Sequence, residues 1–158
     1  MDTEALLKQA ESLLQPFVGA TIRKETDRQD CVVEVENLKA AAKTLADARW
    51  GYLMAITGID HPAVDEQKEG VLEVAYFFTN EAAITGLRVA VPYSHAVVPS
   101  ICDIYPSATL YERELMEMFG IDVEGTPVRD HLVLSDDWPD GVYPLRKSFN
   151  GLADIKGA

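Results

Sequence analysis

Two apolar runs, VLEVAYFFTN at residues 71–80 and AAITGLRVAVP at residues 82–92, follow each other with only a short turn around Asn80 and Glu81 between them. Each is rich in β-branched and aromatic side chains, so the pair predicts an antiparallel hairpin. YLMAITGID from Tyr52 is a third strand-like run, and the polar HPAVDEQKEG after it reads as an exposed hairpin loop. CVVEVE, residues 31–36, is a fourth, leading into a helix over about residues 38–49 that Asn37 can cap. Leu6, Leu7, Ala10, Leu13 and Leu14 recur at helical spacing, with Asp2 or Thr3 as cap and Pro16 as stop, which adds an amphipathic first helix.

These elements predict an α+β (α/β two-layer) fold. It has a mostly antiparallel or mixed sheet of about four strands, helices packed on it, and an extended C-terminal segment. A chain of 158 residues with 47% hydrophobic and 25% charged side chains is the size and texture of one globular domain. We place that domain at residues 1–150, with 151–158 as a flexible tail. Short helices broken by Pro99 and Pro106, then a stretch rich in Pro, Gly and Asp at residues 125–144, form the extended segment across the surface.

The formal charge of −12 repels phosphate backbones and anionic headgroups, which argues against a nucleic-acid partner. No apolar run approaches the roughly 18–20 residues of a membrane span, and the acidic N-terminus does not read as a signal peptide, so direct membrane insertion is not expected. Cys31 and Cys102 stand apart, without a CxxC, and a reducing cytoplasmic setting fits them. His61, His95 and His131 lie more than thirty residues apart, so a metal site would need long-range assembly. No nucleophile elbow and no glycine-rich phosphate loop is present.

The chemistry-bearing stretch is YERELMEMFG, residues 111–120. On a helix Tyr111, Leu115, Met118 and Phe119 share an apolar face, and Arg113 and Glu117 lie opposite. Glu112 and Glu114 are then about 200° apart around the axis, too far to share a proton. Glu112 fits a capping box with Thr109, with Ser107 as a competing cap. Glu114 borders the apolar face and needs a cationic or donor partner if that face is covered. Gly120 suits the left-handed position that ends a helix. Downstream, DDWPDGVYPLRKSF sets Trp138 and Tyr143 beside Arg146 and Lys147. Such residues anchor interfaces. Equally, the loop can fold back to bury Trp138, with Arg146 answering Asp136 or Asp137.

YPSATLYERELMEMFGIDVEGTP, followed by DDW and YPLRK, resembles the 30 kDa subunit of respiratory complex I, the C subunit of NADH:quinone oxidoreductase, and its relatives in energy-converting membrane-bound [NiFe] hydrogenases. The match runs through Glu112, Arg113, Glu114, Glu117, Met118, Phe119 and Gly120, then Asp136, Asp137, Trp138, Pro144, Leu145, Arg146 and Lys147, with Asp60 closing an upstream strand. Thr126 stands where the family usually carries a histidine, and Arg129, Asp130 and His131 replace its paired arginines.

The resemblance implies a non-catalytic structural and assembly subunit, on the cytoplasmic face of the membrane within a peripheral arm and soluble when isolated. It would dock on the large subunit related to [NiFe] hydrogenase, near the iron-sulfur small subunit. It would hold no cofactor of its own, with iron-sulfur clusters and a [NiFe] centre belonging to partner subunits. Its partner interface would use Glu112, Arg113, Glu114, Phe119, Gly120, Asp137, Trp138, Pro144, Leu145, Arg146 and Lys147. Two alternatives come from other classes: a free-standing acid-base enzyme using Glu114 or His131, and a small regulatory binding module.

Overall fold

The computed structural model describes residues 2–65 and 68–156. Its main sheet has five strands, β1 (Val18–Lys24), β2 (Arg28–Val33), β3 (Tyr52–His61), β4 (Val71–Asn80) and β5 (Ala83–Pro92), in the order β1-β2-β5-β4-β3. The β3-β4-β5 meander is antiparallel, β2 joins β5 in parallel, and β1 pairs antiparallel to β2. The expected hairpin at residues 71–92 is present, turning at Asn80 and Glu81 with Asn80 opposite Ala83.

The expectation of about four strands falls short by β1. That strand lies at the sheet edge, and all its residues after Val18 are exposed, so it lacks the apolar alternation that marks a half-buried strand. Two helices, α1 (Thr3–Leu14) and α2 (Val35–Asp47), flank the first two strands in the chain. The structure shifts the strand expected at residues 31–36 three residues toward the N-terminus, to Arg28–Val33. β2 ends at Val33, and Glu34, not Asn37, occupies the N-cap of α2. The strand's inward residues end at Val33, and the chain turns at once, so the apolar Val35 belongs to the helix.

α1 has Asp2 at its N-cap. It buries Leu6, Leu7, Ala10 and Leu14, while α2 buries Leu38, Ala41, Ala42 and Leu45. Both press on the sheet face carrying Tyr76, Phe78, Leu87 and Val89. Trp50 is 1% exposed and donates its indole N–H to the Leu6 carbonyl at 2.9 Å, tying the chain after α2 to the first helix.

The opposite sheet face carries a chain of charges. Asp30 accepts from Arg28 and Arg88, Arg88 also pairs with Glu73, and both guanidinium groups lie over the Phe77 ring. Burial, the largest single influence on Asp30, pushes its carboxyl upward. The two arginines outweigh it and hold the group below its ordinary value.

After β5 come a 3-10 turn (Tyr93–His95), β6 (Val97–Pro99), the helix α3 (Ala108–Phe119) and β7 (Asp122–Glu124), which pairs in parallel with β6. α3 lies on the same face as the first two helices, and Phe119 sits against Gly58 of β3, where a Cβ would come within 2.6 Å of the ring. Residues 125–151 run without helix or strand as a strap. Within the stretch expected to be a loose tail, Leu152–Lys156 form a short helical turn, and Asp154 accepts from the Asn150 N–H at 2.7 Å. Residues 157–158 lie outside the described residues.

Candidate functional site

The stretch at residues 111–120 is helical as expected, and Gly120 closes it at φ 67° in the left-handed region. The glycine is required twice over, because a Cβ there would also meet the Tyr143 ring at 2.3 Å. Tyr111 donates to the Met54 carbonyl at 2.8 Å and so fixes the helix to the edge strand β3.

The three glutamates of the helix have three different fates. Glu112 is 1% exposed and lies inside the domain, which corrects both its capping role and its place on a partner surface. Its carboxylate accepts from the Ser100 hydroxyl at 2.8 Å, the Ile101 N–H at 2.8 Å and the Cys102 thiol at 3.0 Å. Thr109 instead donates to the Pro106 carbonyl, and Ser107 holds the N-cap position without a side-chain cap bond. Helical geometry left Glu112 free to point either way. The backbone of residues 100–102, which turns between β6 and α3 and needs an acceptor, selects the inward one.

Around Glu112 the neighbouring groups stay protonated. Burial pushes the Cys102 thiol up, and the Glu112 carboxylate adds to it. Burial, and then Glu112, also raise the Tyr76 phenol.

Glu117, placed by periodicity on the polar side, is 6% exposed because the strap covers it. It accepts from three consecutive backbone N–H groups, those of Leu132 at 3.1 Å, Val133 at 2.9 Å and Leu134 at 3.2 Å. Arg113, one turn earlier, completes the grip by donating to the Asp130 carbonyl at 2.8 Å and the His131 carbonyl at 2.6 Å. Arg113 and Glu117 therefore do not pair with each other. One holds carbonyls and the other amides of the same segment.

Glu114 remains exposed, with no hydrogen-bond or ion-pair partner among the described residues. The helix face beside it is covered, yet its carboxylate reaches solvent and so meets no demand for an internal partner.

The far end of the strap is fixed at a second point. The Leu145 N–H donates to the Met118 carbonyl at 3.1 Å, and Arg146 Nε donates to the Phe119 carbonyl at 2.6 Å. The Arg146 guanidinium lies 4.5 Å from the Tyr93 ring centroid and 5.6 Å from that of Tyr143. Asp60, 4% exposed at the end of β3, accepts from the Tyr93 hydroxyl and from the Lys147 N–H at 2.7 Å. Burial first, and Asp60 second, raise the Tyr93 phenol. Arg146 thus answers neither Asp136 nor Asp137. Trp138 is half-buried within the strap, donating to the Val142 carbonyl at 2.8 Å and packing on Phe149.

The residues expected at an interface therefore divide. Glu112 and Phe119 are buried, and Arg113, Gly120, Trp138, Pro144 and Arg146 are half-buried, most of them in contacts within the domain. Glu114, Asp137, Leu145 and Lys147 are exposed, with Leu145 at 50%. Periodicity alone did not mark Tyr93, Ser100 or Glu117 as structural anchors. Among the described residues there is no group of three His, Cys, Asp or Glu side chains arranged to hold a metal ion, and no helix long and apolar enough to cross a membrane.

A two-layer α+β domain whose third long helix is roofed by a strap, clamped at both ends through its backbone, is the class that the fold and site define. Residues 31–154 match the model of the family described as Respiratory-chain NADH dehydrogenase, 30 Kd subunit, and the chain belongs to that family. It is similar to the NADH-quinone oxidoreductase C subunit of Acidothermus cellulolyticus, at 32% identity over 80% of this chain and 67% of that one. It is also similar to membrane-bound hydrogenase subunit beta of Pyrococcus furiosus, at 38% identity over 61% of this chain and 56% of that one. The chain thus spans a little over half to two thirds of the length of these relatives. A chain in the structure of the membrane-bound sulfane sulfur reductase, an archaeal respiratory membrane complex, superposes with a TM-score of 0.77 at 26% identity, covering 98% of this chain and 89% of that one.

Proposed function

We propose that this chain is a non-catalytic structural and assembly subunit of a respiratory membrane complex of the complex I or hydrogenase type. It docks in the peripheral arm, on the cytoplasmic face, against the large subunit related to [NiFe] hydrogenase and near the iron-sulfur small subunit. It supports electron transfer from NADH or a similar donor to quinone, or to protons. Iron-sulfur clusters, and a [NiFe] centre where one is used, belong to those partners and not to this chain.

The observation that carries this reading is the division of the family's motif residues. Glu112, Glu117, Arg113, Arg146 and Asp60 fix the helix and strap in place, and that leaves Glu114, Leu132, Val133 and Leu145 facing outward on a shaped surface. Charged and apolar side chains held outward on a rigid frame suit recognition of another protein. The acid-base alternative is not favoured. Glu114 and His131 are both exposed, and Glu114 does not line the cleft that His131 lines.

The test is affinity capture of the tagged chain from its host, comparing wild type with the double variant Glu114→Lys, Leu145→Asp. The expected outcome is co-purification of the large and iron-sulfur subunits with wild type and loss of about tenfold in the variant. Undiminished capture by the variant would count against docking through this face.

A further inference from the structure

Between α3 and the strap lies a cleft of about 150 Å³, walled by Met116, Leu134, Trp138 and Tyr143. It is smaller than the roughly 300 Å³ at which small-molecule sites begin. It has room for one long side chain.

The charges around it are unequally engaged. Arg113 is held by the carbonyls of Asp130 and His131, and Arg129 by Asp122 and the Val123 carbonyl. The Glu117 carboxylate is enclosed by three amides. The side-chain carboxylates of Asp130 and Asp140, both lining the cleft and both exposed, have no hydrogen-bond or ion-pair partner among the described residues. The cleft is thus lined by two arginines and three carboxylates, those of Glu117, Asp130 and Asp140, and the side chains among these without partners are acids.

From this we infer that the cleft receives an arginine side chain presented by a partner protein, its stem along Met116 and Leu134, its planar head against Trp138 or Tyr143, and its charge answered by Asp130 and Asp140. A guanidinium suits both parts of this lining, since it stacks on aromatic faces and pairs with carboxylates. The inference rests on the docking reading above and names the chemistry of one contact within it.

Two measurements separate the ideas. In the first, tagged wild-type chain and the double variant Asp130→Lys, Asp140→Lys are compared for capture of partner subunits. The expected result is about a tenfold loss in the variant. Neither carboxylate has an internal partner, and the bond from Arg113 to the Asp130 carbonyl survives the substitution, so the variant should keep its melting temperature within about 2 °C.

In the second, the purified chain is titrated with the capped tripeptides Gly-Arg-Gly and Gly-Glu-Gly, and the Trp138 indole N–H resonance is followed by NMR. The arginine peptide should shift it, the glutamate peptide should not, and the response should fall in the double variant and in about 0.5 M salt. An unmoved indole with the arginine peptide, or a response to the glutamate peptide, overturns the inference. So does undiminished or increased capture by the double variant. If the arginine peptide shifts the indole as described while wild type captures no partner subunit, the docking reading falls and the cleft's preference for arginine stands. If wild type captures its partners and the double variant does so equally, the reverse holds.

Discussion

The sheet with its first two helices and the strap at residues 125–151 are held by different forces. In the former, Leu38, Leu45, Trp50, Tyr76, Phe78 and Leu87 are at most 1% exposed and touch one another in a single apolar core. In the strap no side chain is fully buried, and its attachments run from Glu117, Arg113, Asp60 and Arg146 to backbone groups. Apolar burial is cooperative and diffuse. Clamps made by single charges are local, so the strap should open as a unit below the free energy of global unfolding.

The largest effect is expected in the core. Trp50→Ala removes a buried ring and its bond to Leu6, and should lower global stability by about 3–5 kcal/mol in denaturant titration. Glu117→Gln should act on the strap instead. It leaves one amide group facing backbone donors, and should speed exchange of the N–H groups of residues 132–134 by roughly 30-fold, or about 2 kcal/mol. The denaturation midpoint should move much less than in Trp50→Ala. If both variants lower global stability alike, the two regions are one cooperative unit and the contrast fails.

Gly120→Ala comes next, at about 1–2 kcal/mol for a left-handed alanine, and it should also displace Tyr143. Chemical-shift changes should then extend into the strap at Arg146 and Lys147, and stop short of α1.

The pH dependence should separate the regions from opposite ends. The Asp30 carboxyl is held below its ordinary 3.8, so its contribution is complete above that value and is lost as pH falls through the folded pKa. Asp30→Asn should make the acid limb of the stability curve shallower. The Tyr93 phenol is held above its ordinary 10.0, so its contribution is complete below that value and is lost as pH rises through the folded pKa. Tyr93→Phe should blunt alkaline opening of the strap and leave the acid limb alone. The smallest effect is expected for Glu114→Gln, within about 0.5 kcal/mol, because its carboxylate is exposed and has no hydrogen-bond or ion-pair partner among the described residues.

The meander and the first two helices were legible in the sequence because their side chains report burial directly. Tyr76 and Leu87, or Leu38 and Leu45, are apolar at the spacing of their element. β1 was not, since an exposed edge strand is chosen by the unpaired backbone of β2 and not by its own side chains. The helix at residues 108–119 was placed correctly, but Glu112 and Glu117 were read from helical geometry alone, which cannot see an N–H group arriving from residues 101 or 132–134. Asp60 entered only through the family resemblance. No periodicity marks an acid that will meet a tyrosine thirty-three residues away.

The grip of Glu117 and Arg113 touches only backbone groups: the carbonyl oxygen that every residue possesses and the amide hydrogen that every residue except proline possesses. These bonds are therefore indifferent to which side chains stand at 132 and 133, while Leu134 adds packing against the core. Proline is excluded at 132, 133 and 134. A segment moored in this way can change its exposed side chains at 132 and 133 and still stay in place.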